Sequence, residues 1–406
     1  MKILHCLSQR PEATGSGVYI QAIISESQQH GNTNYLLAGI PEGTQPLLND
    51  IPREHCHFVQ FEGGDLPFPV VGMSDVMPYN SKRFCDLNND EITLYEKVFL
   101  KALKKIIALH QPDIIHSHHL WLMSSVIKQH FSDIPLLISC HGSDLRQFQN
   151  VTHLQSRVLK GCQQAEAILA LSQVQKQDIH TLHQIPLEKI HVIGGGYNAQ
   201  LFSPGHKSSS SPIQLAYAGK MSRSKGVIYL LKALQGITQL NWHLHLIGGG
   251  QGKEKDEIVD CAKSLGDKVS IHGFVKRDEL VNTMKFSHIF ILPSFFEGLP
   301  LVLMEALASG CRLISTALPG VVELFDENKA EDIVSLVPLP RLQSVDQAFE
   351  EDELLFIENL KQALNIQISA AQKQANINTQ QYHSLITKYS WPAIYKRTEK
   401  IYKLFS

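Results

Sequence analysis

Short apolar runs of β-branched and aliphatic residues alternate with longer amphipathic stretches along the chain, and this rhythm restricts the fold more than any other feature. A parallel strand covered on both faces reads as a continuous apolar run, and its return crossing needs a helix, so the pattern predicts an α/β architecture of doubly wound parallel sheets. Strands are expected at Lys2–Leu7, Thr33–Ala38, Asp113–His116, Pro135–Cys140, Ala167–Leu171 and Lys189–Ile193, with helices such as Val18–His30 and Ile92–His110 between them. The rhythm pauses at 202–212, where Ser, Pro and Gly displace the apolar positions. It resumes with strands at Ile213–Ala218, His243–Ile247, Val269–His272, His288–Leu292 and Arg312–Ser315 and helices at Gly226–Leu234 and Leu299–Ser309. The expected division is a first domain over 1–202, a linker over 203–212 and a second domain over 213–389. A long polar helix is expected over 351–375 and a closing amphipathic helix over 390–406. A chain of 406 residues exceeds what one core serves, and two similar halves on one linker imply a ligand cleft between them.

Thirty-seven basic residues against thirty-nine acidic ones leave a formal charge of −2, which gives no bulk electrostatic reason to expect nucleic acid as a partner. The closing helix carries Trp391, Ile394, Tyr395, Ile401, Tyr402 and Phe405 at helical spacing, so it needs an apolar surface to dock on. Its Lys396, Arg397, Lys400 and Lys403 then form a solvated face, with at most peripheral contact to acidic lipid. The first apolar segment runs at once into Ser8, Gln9 and Arg10 and lacks a signal-peptide core, and no apolar run reaches membrane-spanning length. Seven cysteines without paired spacing, several of them in strand-like runs, read as free thiols of a reducing compartment; the expected location is cytoplasmic.

The richest chemistry lies in 293–310. A buried strand ends, a turn follows and a helix is expected from Leu299, leaving unpaired amides and a positive dipole end that suit phosphate. Glu297 and Glu305, eight residues apart, fall on a similar side of that helix, where one carboxylate meets sugar hydroxyls and the other ribose hydroxyls. A second strand-to-helix loop, 218–226, carries Lys220, Arg223 and Lys225 between Gly219 and Gly226, and cations there neutralise a diphosphate leaving group. The first such loop holds Gly15 and Gly17, half of a dinucleotide fingerprint. Among twenty histidines, His116, His118, His119 and His141 fall at strand ends. His116 and His118 share one strand face, which could suggest zinc, but alternation sends His119 and Asp113 to the other side, so no metal site is assigned. His141 follows a strand and is expected to project over the cleft, where it can donate to a sugar hydroxyl or phosphate. The segment 65–79, with two exposed-looking methionines, Met73 and Met77, three prolines and two aromatics, reads as a shaped loop, either functional at a cleft or a surface loop packed on its own prolines.

These motifs resemble glycosyltransferase family 4, the retaining family with the GT-B fold of two Rossmann-like domains facing across a cleft. The family's paired glutamates stand here as Glu297-Gly-Leu-Pro-Leu-Val-Leu-Met-Glu305-Ala-Leu-Ala-Ser-Gly310. Its basic diphosphate pair is similar to Gly219-Lys-Met-Ser-Arg-Ser-Lys-Gly226, with Lys220 where the family has Arg. Its H-G-x-D matches His141-Gly-Ser-Asp144, its glycine loop matches Gly15-Ser-Gly17, and Asp113-Ile-Ile-His-Ser-His118 matches a further motif. The likeness covers nearly the whole chain.

The resemblance implies a retaining hexosyltransferase, of glucosyl or N-acetylglucosaminyl type, that uses a UDP-sugar as co-substrate, needs no divalent metal and proceeds by front-face displacement. It assigns catalysis to His141 and Glu297. Donor binding falls to Gly15, Gly17, Lys220, Lys225, Gly298, Leu299, Leu301 and Glu305, with base recognition at Phe274 and Val275. Acceptor contacts fall to His116, His118 and Asp144 of the first domain, for a small-molecule or glycan acceptor. Three departures bear on specificity: Lys220 lacks the two-pronged fork of Arg, Gly195-Gly-Tyr-Asn198 replaces N-G-V-D, and the Gly248-Gly-Gly-Gln251 loop is neutral. A nucleotide-sugar epimerase or a non-catalytic sugar-nucleotide sensor would use the same cradle, and those alternatives stay open at this point.

Overall fold

Strands of the first half form one parallel sheet because each is followed by a crossover rather than a hairpin. The computed structural model describes residues 1–48, 50–74, 77–210, 212–326, 332–344 and 347–405. In chain order the strands are β1 (Lys2–Leu7), β2 (Thr33–Pro41), β3 (Cys56–Phe61), a short parallel pair β4 (Val71–Gly72) and β5 (Lys82–Arg83), β6 (Ile114–His118), β7 (Leu136–Ser139), β8 (Ala167–Ala170) and β9 (Ile190–Val192). The main sheet runs β3-β2-β1-β6-β7-β8-β9. Its order reverses between β1 and β6, which opens the carboxyl edge of those two strands to loops leading in opposite directions. The helix Asn89–His110 shows how local sequence sets its elements. Asn88 and Glu91 close a capping box, Tyr95, Phe99, Leu103 and Ile106 bury one stripe, and Gln111 ends the helix in the left-handed region.

The second half repeats the plan with β10 (Ile213–Ala218), β11 (Trp242–Ile247), β12 (Val269–Gly273), β13 (Ile289–Leu292), β14 (Arg312–Thr316) and β15 (Val334–Val337). These pair in parallel in the order β12-β11-β10-β13-β14-β15, with the reversal between β10 and β13. Its core is continuous from Trp242 and Leu244 through Phe290 and Leu307 to Phe356 and Leu364 of the helix Glu350–Lys373.

The chain divides into two compact units, Met1–Gly196 with Trp391–Ser406, and Tyr197–Ser390. The crossing at 196/197 precedes the sequence-based boundary at 202 because Tyr197 donates its N–H to Tyr389 O and packs, with Phe202, in the second core. The expected linker over 203–212 is likewise no free tether. Lys207 is 1 % exposed, and its Nζ donates to Met284 O, Lys285 O and Ser309 O. One ammonium thus satisfies the terminal carbonyls of the helices Arg277–Phe286 and Leu301–Ala308, where a cation also complements both dipoles. Ser211 lies outside the described residues. The closing helix Trp391–Tyr402 docks on the first unit through Trp391, Ile394, Tyr395 and Tyr402, with Tyr19 and Trp391 meeting edge to face at 5.4 Å.

The 65–79 segment is more ordinary than its composition suggested. Leu66, Val70, Val71, Met73 and Met77 are buried, so the two methionines are core residues rather than exposed ones, and Met77 packs on Gly72. Asp75 and Val76 fall outside the described residues.

Candidate active site

In the second unit the loops after β10, β11, β12 and β13 are joined into one rim at the carboxyl edge. Gly219 donates to Ile247 O, Met221 to Gly249 O, Gly248 to Gly273 O and Phe295 to Ser224 O. The joints need glycine. Gly226 sits at φ +71°, and a Cβ there would stand 2.0 Å from Pro293 O; at Gly248, φ +123°, it would stand 1.9 Å from Gly219 O.

Into this rim project both glutamates, each with a cation. Lys225 Nζ donates to Glu297 Oε1 at 2.7 Å and to Phe296 O at 3.3 Å. Arg277 Nη2 donates to Glu305 Oε1 at 2.9 Å while its guanidinium lies 5.4 Å from the Phe202 ring centre. The Glu305 side chain is 14 % exposed. Burial pushes its carboxyl up to about 7 and the guanidinium pulls the other way. The helix begins at Leu301 rather than Leu299, with Pro300 at its cap and no side chain closing its first turn. A proline cap offers neither an N–H nor a capping oxygen, so Gly298 and Leu299 belong to the approach loop. Lys220 is exposed, and its carbonyl accepts from the buried Tyr217 hydroxyl at 2.7 Å, which fixes the loop's course. Arg223 has a different task from the one its position suggested: it binds both oxygens of Glu257, at 2.7 and 2.8 Å, and approaches Glu353. Phe274 is 80 % exposed, and its ring lies over Gly249, where a Cβ would come within 2.3 Å of it. Val275 is half-buried beside it.

In the first unit the reversal point between β1 and β6 gathers Gln9, Ser16, His118, His119 and His141. β6 runs two residues further than expected, to His118, and His119 turns out of it at φ +82°, a costly conformation for a residue with a Cβ. Its Nε2 lies 3.1 Å from Ser16 Oγ and 3.4 Å from Gln9 Nε2. The alternation argument that sent His119 to the far face therefore fails, because the strand has already ended. His141 is partly exposed and stacks on His118 at 5.5 Å between ring centres, with Nε2 3.3 Å from His118 Nδ1. Burial pulls its imidazole down to about 3, so at neutral pH it offers hydrogen bonds without charge.

Four residues assigned to the acceptor or donor have surroundings other than those expected. Asp144 is fully buried, and its carboxylate accepts from His141 N–H at 3.0 Å and Leu120 N–H at 2.9 Å, so it holds the His141 turn rather than a ligand. His116 is fully buried with Tyr402 Oη at 2.7 Å from Nδ1 and Ser139 Oγ at 2.8 Å from Nε2, and His118 is buried beside it; neither reaches a surface where an acceptor could touch it. Gly17 N–H is taken by the Thr14 cap at 3.1 Å, and Gly17 is needed because a Cβ would fall 2.4 Å from Pro11 O, whereas Gly15 has open space around it. Sequence reasoning missed Arg277, Gln9 and Ser16. Arg277 could have been found from its place, three residues beyond Phe274 at the start of a helix.

Comparison with known proteins places the chain among glycosyltransferases. Residues 199–335 match the family model described as glycosyl transferases group 1, and residues 79–201 match glycosyltransferase family 4. An uncharacterised glycosyltransferase of Methanocaldococcus jannaschii is 23 % identical over 243 residues, 54 % of this chain and 61 % of its own. The chain spans 43 to 65 % of the length of the curated relatives it matches. Among solved structures, sucrose-phosphate synthase from Thermosynechococcus elongatus superposes with a TM-score of 0.71 at 16 % identity, covering 100 % of this chain and 99 % of that one. HepE of Anabaena, solved in complex with UDP-glucose, gives 0.62 at 14 % identity over 99 % and 100 %. At such identities the structural likeness speaks for the fold alone, the GT-B fold with two Rossmann-like parallel sheets. With paired glutamates and lysines on the second unit's rim and both family models matched in succession, the chain belongs to the family 4 type of glycosyltransferases.

Proposed function

We propose that the protein transfers a hexosyl group, glucosyl or N-acetylglucosaminyl, from a UDP-sugar to a small-molecule or glycan acceptor with retention of configuration. The observation that carries this reading is the pairing of Glu297 with Lys225 and of Glu305 with Arg277 at the reversal point of the second sheet, where α/β folds bind nucleotides. The existence of a GT-B protein solved with UDP-glucose supports UDP as the carrier. In this reading Glu305 accepts from the ribose hydroxyls, Glu297 from the hexose, and Phe274 and Val275 border the base. Lys225 exchanges its carboxylate partner for the diphosphate.

As the C1–O bond to the β-phosphate breaks, negative charge gathers on the diphosphate, and Lys220, Lys225 and the first turn at Leu301 meet it. These cations make a divalent ion dispensable at that step. The acceptor hydroxyl attacks from the face the diphosphate leaves, and its proton passes to a β-phosphate oxygen, so no carboxylate nucleophile is needed. On the first unit His141, neutral and partly exposed, is the group that offers hydrogen bonds to a bound sugar. No helix among the described residues is long and apolar enough to cross a membrane, and seven free cysteines fit a cytoplasmic setting.

The test is incubation with UDP-glucose or UDP-N-acetylglucosamine, with water as the default acceptor. UDP should accumulate slowly, and proton NMR should show the α-anomer of the free sugar forming first; the β-anomer first would reject retention, and no UDP release from any nucleotide sugar would reject the enzyme reading. A pH series adds a second check. Glu305 is raised from the ordinary carboxylate range to about 7, so its neutral form is favoured below that value and the folded protein loses this stabilisation as pH rises through about 7. Ribose binding needs the ionised form. KM for UDP-glucose, whose diphosphate diester does not titrate here, is therefore expected to rise roughly tenfold from pH 8 to pH 6. Arg277→Leu removes the opposing cation and should move that rise to higher pH; a flat profile in both proteins would remove Glu305 from the ribose.

A further inference from the structure

One face of the first sheet is polar where the core should be driest. In the parallel register His5 of β1 stands beside His116 of β6, and Leu7 beside His118, so His5, His116 and His118 share a face with Asn34 of β2 and Ser139 of β7. The helices Gly15–Gln29 and Trp391–Tyr402 cover that face: the Tyr19 ring centre is 5.8 Å from that of His118, and Tyr402 Oη is 2.7 Å from His116 Nδ1. All three imidazoles are at most 1 % exposed.

The hydrogen bonds around them settle which nitrogens are engaged. Asn34 Nδ2 donates to Asn32 O at 3.3 Å, which turns Asn34 Oδ1 toward His5 Nε2 at 3.0 Å. His5 therefore donates from Nε2 and keeps its lone pair on Nδ1, a buried atom with no partner. His118 Nδ1 is engaged with His141 Nε2 at 3.3 Å, and its Nε2 is again buried without a partner. Leaving such atoms unpaired costs about 1–3 kcal/mol each. One ligand nitrogen from each of the three rings lies within 4.8 Å of the other two.

We infer that His5, His116 and His118 form a binding site for a single transition-metal ion of the zinc class, held within the first unit beneath the closing helix. Three imidazoles with no carboxylate among them suit Zn²⁺, Co²⁺, Ni²⁺ or Cu²⁺ and disfavour Mg²⁺ and Ca²⁺, which take oxygen ligands. Each ring already has its other nitrogen oriented, His5 by Asn34, His118 by His141 and His116 by Tyr402 or Ser139, which is how ligating histidines are normally held. Tetrahedral Zn–N bonds of about 2.0–2.1 Å place nitrogens about 3.4 Å apart, so the rings rotate inward on binding and His116 releases one of its two partners. The role is structural, fastening β1 to β6, and the site shares no residue with the donor rim of the second unit, though His118 is coupled to His141.

The experiment uses the full chain, stripped with EDTA, refolded with Zn²⁺ or Co²⁺ and desalted. One equivalent of metal is expected by elemental analysis, with the intense visible bands of four-coordinate Co²⁺ and a rise in Tm on the order of 5–10 °C at a hundredfold excess over Kd. Uptake should vanish in His5→Gln and in His118→Gln and persist in His272→Ala, which breaks the exposed His245–His272 pair. Because the first two variants remove buried groups and could fail to fold, Asn34→Ala supplies a second reading: it leaves all three ligands in place and should weaken binding ten- to a hundredfold. The proposal falls if the parent takes up less than one equivalent, if both buried-histidine variants bind as the parent does, if His272→Ala abolishes uptake, or if Asn34→Ala binds as tightly as the parent.

Discussion

Glu297→Ala is expected to lower turnover of the donor sugar about a hundredfold or more while far-UV circular dichroism and Tm stay near those of the parent. The asymmetry between activity and stability follows from where the carboxylate sits. Its pair with Lys225 is close, 2.7 Å, but the two side chains are 19 % and 24 % exposed, so the pair is worth at most about 1 kcal/mol to the fold. In the proposed donor complex the same carboxylate would accept hydrogen bonds from a sugar ring whose positive charge grows as C1–O breaks, and charge-assisted contacts that strengthen in the transition state act on kcat. Two lost contacts of that kind account for the hundredfold, about 2.7 kcal/mol. Lys225→Ala should fall by a similar factor through the leaving group, and the double variant should lose less than the product of the two because the residues act on one departing group. Unchanged kcat in Glu297→Ala would remove this glutamate from the mechanism.

The second large effect is expected at Gly226. Gly226→Ala must hold φ near +71° with a Cβ 2.0 Å from Pro293 O, and backbone rather than a flexible side chain stands in the way. Left-handed strain and overpacking together cost about 3 kcal/mol or more, a fall of roughly 6–12 °C in the second unit's thermal transition. The substitution also spreads the joint between the 219–226 and 293–300 loops, so Lys225 and Glu297 separate and turnover falls with stability. Gly15→Ala is the contrasting case. Nothing lies within 4 Å of its added methyl and its φ is not positive, so stability should change by less than about 1 kcal/mol. Equal losses at both positions would contradict the loop geometry.

What could be read from the residues alone differed by kind. The two sheets and both strand-to-helix loops of the second unit were legible because apolar runs, glycines and charges repeat at local spacing, and local spacing sets those elements. The partners of the glutamates were only half legible. Lys225 announced itself inside a loop motif, but Arg277 reaches Glu305 across 28 positions, a separation that no periodicity reports. Lys207 misled for the opposite reason: a stretch of Ser, Gly and Pro reads as a tether, and one ammonium capping two helix ends binds it to the second core. His5 looked like part of an apolar strand until the register set it beside His116. Asp144 matched its motif yet serves the backbone of His141 and Leu120, since a sequence match names a residue without saying whether its carboxylate turns outward or inward.

The rim of the second sheet is proposed to hold the diphosphate of a nucleotide sugar, and a crystal structure with UDP decides it. The diphosphate is expected within hydrogen-bonding distance of Lys225 Nζ and the first turn at Leu301, the ribose on Glu305 and the base beside Phe274 and Val275. A diphosphate seated elsewhere, with the Lys225–Glu297 and Arg277–Glu305 pairs intact and the rim bare, would contradict it.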